Sequence, residues 1–86
     1  MPNWIVKTAK KAEKALDKFP TKDQLLILNT LDAMAVDPFS GDIVRLKNER
    51  SAWRRRVGNY RIFYDVYTQI QIVDVVEIER RTSKTY

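Results

Sequence analysis

The sequence predicts an α+β fold in the order β-α-α-β-β-β: an antiparallel four-stranded sheet with an N-terminal helical hairpin on one face. Three observations predict it. Apolar residues recur at helical spacing through the N-terminal part, Gly58-Asn59 stands between two runs of β-branched and aromatic residues as a two-residue turn signal, and residues 70–80 are rich in Val and Ile. The chain has 86 residues, which is read as one domain over 1–86. A chain this short buries only about 60–65% of the surface its unfolded form exposes, so its core must be economical.

Residues 3–7 can form a short strand. Ala9, Ala12, Ala15, Leu16 and Phe19 then recur at helical spacing, with lysines and acids between them. Phe19-Pro20 stops this first helix, and Thr21-Lys22-Asp23-Gln24 has the form of a capping box that opens a second. Leu25, Leu28, Leu31 and Ala35 are expected to line the apolar face of that helix. Asp37-Pro38-Phe39-Ser40-Gly41-Asp42 ends it and makes the longest loop. Residues 43–47 read as a strand, 48–51 as a polar turn into the hairpin around Gly58-Asn59, and 70–80 as the last strand run after a weaker turn at Thr68-Gln69. The helices most simply cover one face of the sheet and leave the other open.

Formal net charge is +5, and its distribution matters more than its size. Residues 45–61 hold seven basic residues against the single acid Glu49, and all eight arginines lie from Arg45 onward, whereas the first 42 residues use only lysine. Arginine's planar fork suits bidentate phosphate contacts, while lysine is a flexible point charge. The arginine-rich half reads as recognition and the lysines as solubility. With no cysteine and no histidine there is no disulfide, no thiolate or imidazole metal site and no histidine base. Neither a signal-peptide core nor an apolar run of membrane-spanning length is present, so a soluble, cytoplasmic protein is expected, without membrane, metal or cofactor.

Strand alternation sorts the side chains. If both turns contain two residues, Trp53, Val57, Tyr60, Ile62, Tyr64, Val66, Val73 and Val75 share a core face. Arg54, Arg56, Arg61, Phe63, Asp65, Asp74 and Arg80 collect on the opposite face. The turn pairs Val57 with Tyr60, Arg56 with Arg61 and Arg54 with Phe63, so two cations stand directly opposite each other. Such a pair destabilises a sheet unless an anion relieves it, which points to phosphate; the plain alternative is a solvated basic face. Arg55 falls on the core side, where it must snorkel to the edge or stack on Trp53 or Tyr64. Asp65 and Asp74 could serve acid–base or metal chemistry, but with arginines around them they read as salt-bridge partners that orient guanidinium groups. Phe63 and Tyr67 could stack on a base or simply pack.

Residues 53–64, in the pattern Trp-Arg-x-Arg-Val-Gly-x-Tyr-Arg-Ile-x-Tyr, resemble the central signature of the RelE/ParE superfamily of toxin–antitoxin toxins. The strand ending in Arg80-Arg81 with Tyr86 beyond it resembles the C-terminus of that superfamily. Length, helical hairpin, strand order and the loop Asp37-Pro38-Phe39 leading to Arg45-Leu46-Lys47 are similar too, so the resemblance implies a RelE-like microbial ribonuclease fold. It is nearest the RelE-like branch, through Lys47, Arg54, Arg56, Arg61, Arg80 and Tyr86. Members of that branch cleave messenger RNA in the ribosomal A site without metal: the ribose 2′-hydroxyl attacks the adjacent phosphate, leaving a 2′,3′-cyclic phosphate and a 5′-hydroxyl. The resemblance gives Arg61 and Arg80 the role of stabilising the pentacoordinate phosphate. Arg54 and Arg56 would hold flanking phosphates, and Arg45, Phe63 and Arg81 would contribute to substrate binding. Tyr86 would stack on or orient the nucleotide, and Lys47 is the candidate base, since arginine is a poor one.

The ParE-like branch of the same superfamily inhibits DNA gyrase without catalysis, and fold alone does not choose between the branches. A third reading is an inactive RNA-binding module. A cognate antitoxin protein with an acidic or amphipathic segment is the expected partner, beside the messenger RNA and the ribosome.

Overall fold

In the computed structural model, residues 3–47 and 51–81 are described. The elements are β1 (Ile5–Thr8), α1 (Lys10–Asp17), α2 (Thr21–Val36), β2 (Ile43–Arg45), β3 (Trp53–Val57), β4 (Tyr60–Tyr67) and β5 (Ile72–Arg80). The strands form one sheet in the order β1-β5-β4-β3-β2. The α+β class is as expected, but the sheet has five strands rather than four, because the arginine hairpin supplies both β3 and β4 in addition to the short β2.

The sheet is also mixed rather than wholly antiparallel. β1 runs parallel to β5, setting Val6 beside Val73 and Lys7 beside Asp74. The outer edge of β5 is open to a partner, and pairing there lets Val6 pack against the core. Trp4 N–H donates to Ala35 O of α2 at 3.0 Å and Ile5 N–H to Gln71 O at 3.0 Å, which ties this edge strand to both layers.

The β3–β4 hairpin has the expected register: Val57 faces Tyr60, Arg56 faces Arg61, Arg55 faces Ile62, Arg54 faces Phe63 and Trp53 faces Tyr64. Gly58, at φ +55°, supplies the left-handed backbone the tight turn requires. The next turn is longer than expected. Tyr67 pairs with Ile72, so residues 68–71 form the loop, and Gln71 adopts φ 53° there. The two added residues are an even number, so alternation survives and Val73 and Val75 still reach the core.

Further along β5 the alternation breaks. Tyr64 pairs with Val75 but Phe63 pairs with Glu77, leaving Val76 as the extra residue of a β-bulge. Beyond it every side chain changes side: Ile78 enters the core, Glu77 and Glu79 take the face of Phe63 and Arg61, and Arg80 pairs with Tyr60. Arg80 therefore lies on the helix side of the sheet, not on the open face where uninterrupted alternation puts it.

Both helices cover the face that carries Tyr60, Ile62 and Tyr64; the core joins these residues to Ala12, Ile27, Leu31, Met34, Val73, Val75 and Ile78. Burying a side chain such as Ile62 is worth about 1.5–3 kcal/mol, so a one-residue slip of β4 would forfeit several such terms at once. Helix α2 presents Ile27, Thr30, Leu31 and Met34 inward, leaving Leu25 and Leu28 exposed, a rotation from the expected face. The helix is apolar nearly all round, so periodicity could not select the side that packs. The expected capping box does not form either: Pro20 is the N-cap, and Gln24 Nε2 donates instead to Phe19 O at 3.0 Å and Asp17 O at 3.3 Å, clasping the link between the helices.

Candidate nucleic-acid interface

On the face away from the helices the register builds two rows. Val44, Arg54, Phe63 and Glu77 form one across β2, β3, β4 and β5, and Arg56, Arg61 and Glu79 form the next. Cross-strand neighbours in such rows have Cβ atoms about 4.5–5.5 Å apart, so three guanidinium groups are confined to one small patch.

Each cation meets different surroundings. Arg56 Nε lies 3.1 Å from Asp42 Oδ2, and Arg56 N–H donates to Asp42 O at 2.9 Å. Arg61 Nη1 lies 3.5 Å from Glu79 Oε1. Among the described residues, the Nε atoms of Arg54 and Arg61 on this face, and of Arg55 on the other, are buried without a hydrogen-bond partner. An unmet buried donor is costly, and on the open face an acceptor such as a phosphate oxygen would satisfy Arg54 and Arg61.

Asp42 and Glu79 orient these arginines; the sequence suggested Asp65 and Asp74. Asp65 Oδ1 instead accepts the Ala52 N–H at 2.7 Å, which closes the far end of the β3–β4 ladder. Asp74 sits opposite Asp65 and beside Lys7, in a groove lined also by Thr8, Tyr67 and Ile70. The signal that could have found Glu79 is the doublet Val75-Val76, where the apolar positions shift from odd to even numbers. Asp42 follows from the loop that carries it.

That loop is held from the helix side. Arg55 falls on the core side, as expected, and holds the loop there: its Nη1 donates to Ser40 O at 3.2 Å and its guanidinium lies against Gly41, where an added Cβ would come within 2.5 Å of Cζ. Tyr64 Oη donates to Pro38 O at 2.7 Å, and the Phe39 ring meets Trp53 edge-on at 5.4 Å. These three contacts through the sheet bring Asp42 to Arg56. Burial pushes the Tyr64 phenol up to about 12, with Arg55 opposing and Asp37 adding to the rise. Burial raises the Tyr60 phenol too, helped by its 2.5 Å hydrogen bond to Asp23 Oδ2. Neither phenol is a proton acceptor near neutrality.

The remaining expected site residues are dispersed. Phe63 lies on the arginine face but is 3% exposed, so its ring forms the floor of the patch and offers no open surface for stacking. Arg80 is on the other side, its Cζ 5.9 Å from the Tyr60 ring centroid, and does not converge with Arg61. Arg81 N–H donates to Asn59 O at 2.5 Å, pinning the end of β5 to the hairpin turn. Arg45 stacks over Trp53 at 5.2 Å, on the helix side of the sheet edge. Lys47 is exposed past the end of β2, outside both rows. Tyr86 lies outside the described residues. Among the described residues no group of three or more His, Cys, Asp or Glu could hold a metal ion, and no helix is long and apolar enough to cross a membrane.

This architecture is similar to that of solved RelE toxins. The archaeal RelE–RelB complex from Pyrococcus horikoshii matches with a TM-score of 0.80 at 23% identity, covering 94% of this chain and 98% of that one. The toxin–antitoxin complex RelBE2 from Mycobacterium tuberculosis matches with a TM-score of 0.81 at 19% identity, over 94% of this chain and 100% of that one. The isolated E. coli RelE toxin matches at 0.77 and 14% identity, over 94% and 87%. These likenesses establish the fold. No curated protein sequence matches the chain. Residues 6–84 match the family described as ParE toxin of type II toxin–antitoxin system, parDE, and the chain belongs to that family. It is thus a toxin of the RelE/ParE superfamily.

Proposed function

We propose that this toxin is a metal-independent, ribosome-dependent endoribonuclease that cuts messenger RNA by attack of a ribose 2′-hydroxyl on the adjacent phosphate. The observation that carries this reading is the pairing of Arg56 with Arg61 beside Arg54 on one face, where the buried Nε atoms of Arg54 and Arg61 have no hydrogen-bond partner among the described residues. A pentacoordinate phosphate gathers negative charge, and preorganised guanidinium donors stabilise it without a metal. Arg61 is assigned to the reacting phosphate and Arg54 and Arg56 to its neighbours. Arg80 and Arg81, at the end of β5, are assigned to the strand leaving the patch, and Tyr86 to the nucleotide. Lys47 remains the proposed proton acceptor, which requires the substrate or the ribosome to bring its segment towards the patch. The toxin would act in the cytoplasm and be neutralised by a cognate antitoxin, as the toxins in the RelE–RelB complexes are partnered.

The test maps 5′ ends on a defined messenger in a translating extract, with and without the toxin. Cuts at fixed codon positions that disappear when ribosomes are omitted support the reading. The family description as ParE toxin favours a second one, gyrase inhibition without cleavage. An intact messenger together with blocked DNA supercoiling by purified gyrase would decide for it.

A further inference from the structure

We infer that a groove at the far end of the open face, between Tyr67 and Asp74, binds a guanine base of the RNA strand whose phosphates lie on the arginines. Tyr67 follows Phe63 and Asp65 on the same side of β4 and pairs with Ile72, while Asp65 pairs with Asp74 and Lys7 stands beside Asp74 on β1. Lys7, Thr8, Tyr67, Ile70, Ile72 and Asp74 line a groove of about 410 Å³. Tyr67 is 48% exposed and Ile70 63%, so this ring, unlike that of Phe63, offers an open surface for stacking.

The lining selects the ligand. Aromatic and aliphatic walls suit a flat ring, and stacking on a tyrosine accepts any base. The polar groups are more selective. Asp74, when ionised, can only accept hydrogen bonds, and Lys7 can only donate them. Asp65 is occupied by the Ala52 N–H, whereas the Asp74 carboxylate has no hydrogen bond or ion pair among the described residues. Guanine offers two adjacent donors, N1–H and the N2 amino group, next to the acceptor O6. A carboxylate beside an ammonium group matches that edge; adenine, with an acceptor at N1 and a donor at N6, does not.

Charge along the face turns a base, rather than a phosphate, towards this end. Asp65 and Asp74 stand opposite each other as Arg56 and Arg61 do, and the two carboxylates repel the phosphate that the two guanidinium groups attract. Tyr67 lies four residues beyond Phe63, about 13 Å along β4, so one extended strand reaches from the arginines to the groove within a few nucleotides. Resting on the nuclease reading above, the groove holds a base at one fixed distance from the cut and not at the cut itself.

The experiment measures fluorescence anisotropy of short, labelled 2′-O-methyl RNA strands in which a single guanine, inosine or adenine is moved along an otherwise uridine sequence. Wild type, Tyr67→Ala, Tyr67→Phe and Asp74→Asn are compared, and the cuts each makes are mapped in a translating extract. The wild type should bind guanine at one position roughly 5–150-fold more tightly than adenine there, with inosine, which lacks the N2 amino group, in between. Tyr67→Ala should weaken binding of all three by a factor in the same range, roughly 5–150-fold, and Tyr67→Phe should keep it. Asp74→Asn should lose the preference for guanine while melting no lower than the wild type. In the extract, wild-type cuts should carry a guanine bias at the matching distance, which Asp74→Asn removes. Equal binding of the three bases by the wild type overturns the inference, as does a guanine preference untouched by Asp74→Asn, or cuts without that bias. Guanine-dependent binding through Tyr67 and Asp74 by a toxin that cuts no messenger would uphold the groove and reject the nuclease reading instead.

Discussion

Arg56 and Arg61 stand directly opposite each other on β3 and β4, and each turns to a carboxylate of its own, Asp42 in the loop before β2 and Glu79 on β5. The cross-strand repulsion is thereby offset from outside the hairpin. Neither carboxylate blocks the patch completely, because the Nε atom of Arg61 and that of neighbouring Arg54 have no partner among the described residues.

Arg56→Ala is expected to leave stability within about 0.5 kcal/mol of the wild type. It removes a like-charge contact worth a few tenths of a kcal/mol, but also an ion pair with Asp42 that is open to solvent and worth about 0–1 kcal/mol. Chemical denaturation measures the balance, and messenger cleavage should fall although stability does not. A loss above about 2 kcal/mol would show that Arg56 holds the Asp42 loop in place.

Arg61→Ala should lower the cleavage rate by about 10²–10³, the usual cost of one donor to developing charge. The fold should persist, since Arg61 lies outside the core. Cleavage kinetics on ribosome-bound messenger, with circular dichroism as the folding control, provide the check; wild-type rates from a folded variant would refute the assigned role.

Gly41→Ala should destabilise the protein by more than about 1 kcal/mol. Gly41 adopts φ +84°, and the added methyl would collide with the Arg55 guanidinium. The displaced loop would also carry Asp42 away from Arg56. If steric collision is the cause, Gly41→Ala combined with Arg55→Ala should recover part of the lost melting temperature.

Alkali should unfold the protein over a defined window. The Tyr64 phenol titrates at about 12 in the folded chain and near 10 when unfolded. Because the folded state holds its proton more tightly, the stabilisation is complete below pH 10 and is lost as pH rises towards 12. Melting temperature measured across that interval should fall, and Tyr64→Phe should flatten the decline. The same variant should lower stability at neutral pH by about 1–3 kcal/mol, because Pro38 O loses its donor.

Chelation should not stop cleavage. The chain has no histidine or cysteine, and the described carboxylates do not cluster in a way that could hold a cation. The assay requires EDTA under conditions in which sedimentation shows the ribosomes still assembled; loss of cleavage there would reject attack by the 2′-hydroxyl without a metal.

Local rules sufficed for what is local. Gly58-Asn59 dictated the hairpin register, because only a tight turn with a left-handed first residue joins two twisted strands so closely, and that register alone sets Arg54, Arg56 and Arg61 on one face and Arg55 on the other. Tertiary packing decided the rest. The bulge at Val76 lets Ile78 enter the core, and in doing so moves Arg80 to the helix side and delivers Glu79 to Arg61; the doublet Val75-Val76 shows that the apolar positions shift from odd to even numbers, but only packing decides that a bulge absorbs the shift. Which side of α2 packs was equally illegible, since leucines cover nearly all of it and only the sheet beneath chooses Ile27, Leu31 and Met34. The place of β1 and its parallel direction depend on an edge of β5 that exists only once the β4–β5 pair has formed. Asp42 reaches Arg56 because Arg55, Tyr64 and Trp53 hold its loop from beneath, through contacts 14 to 26 residues apart that sequence periodicity cannot encode.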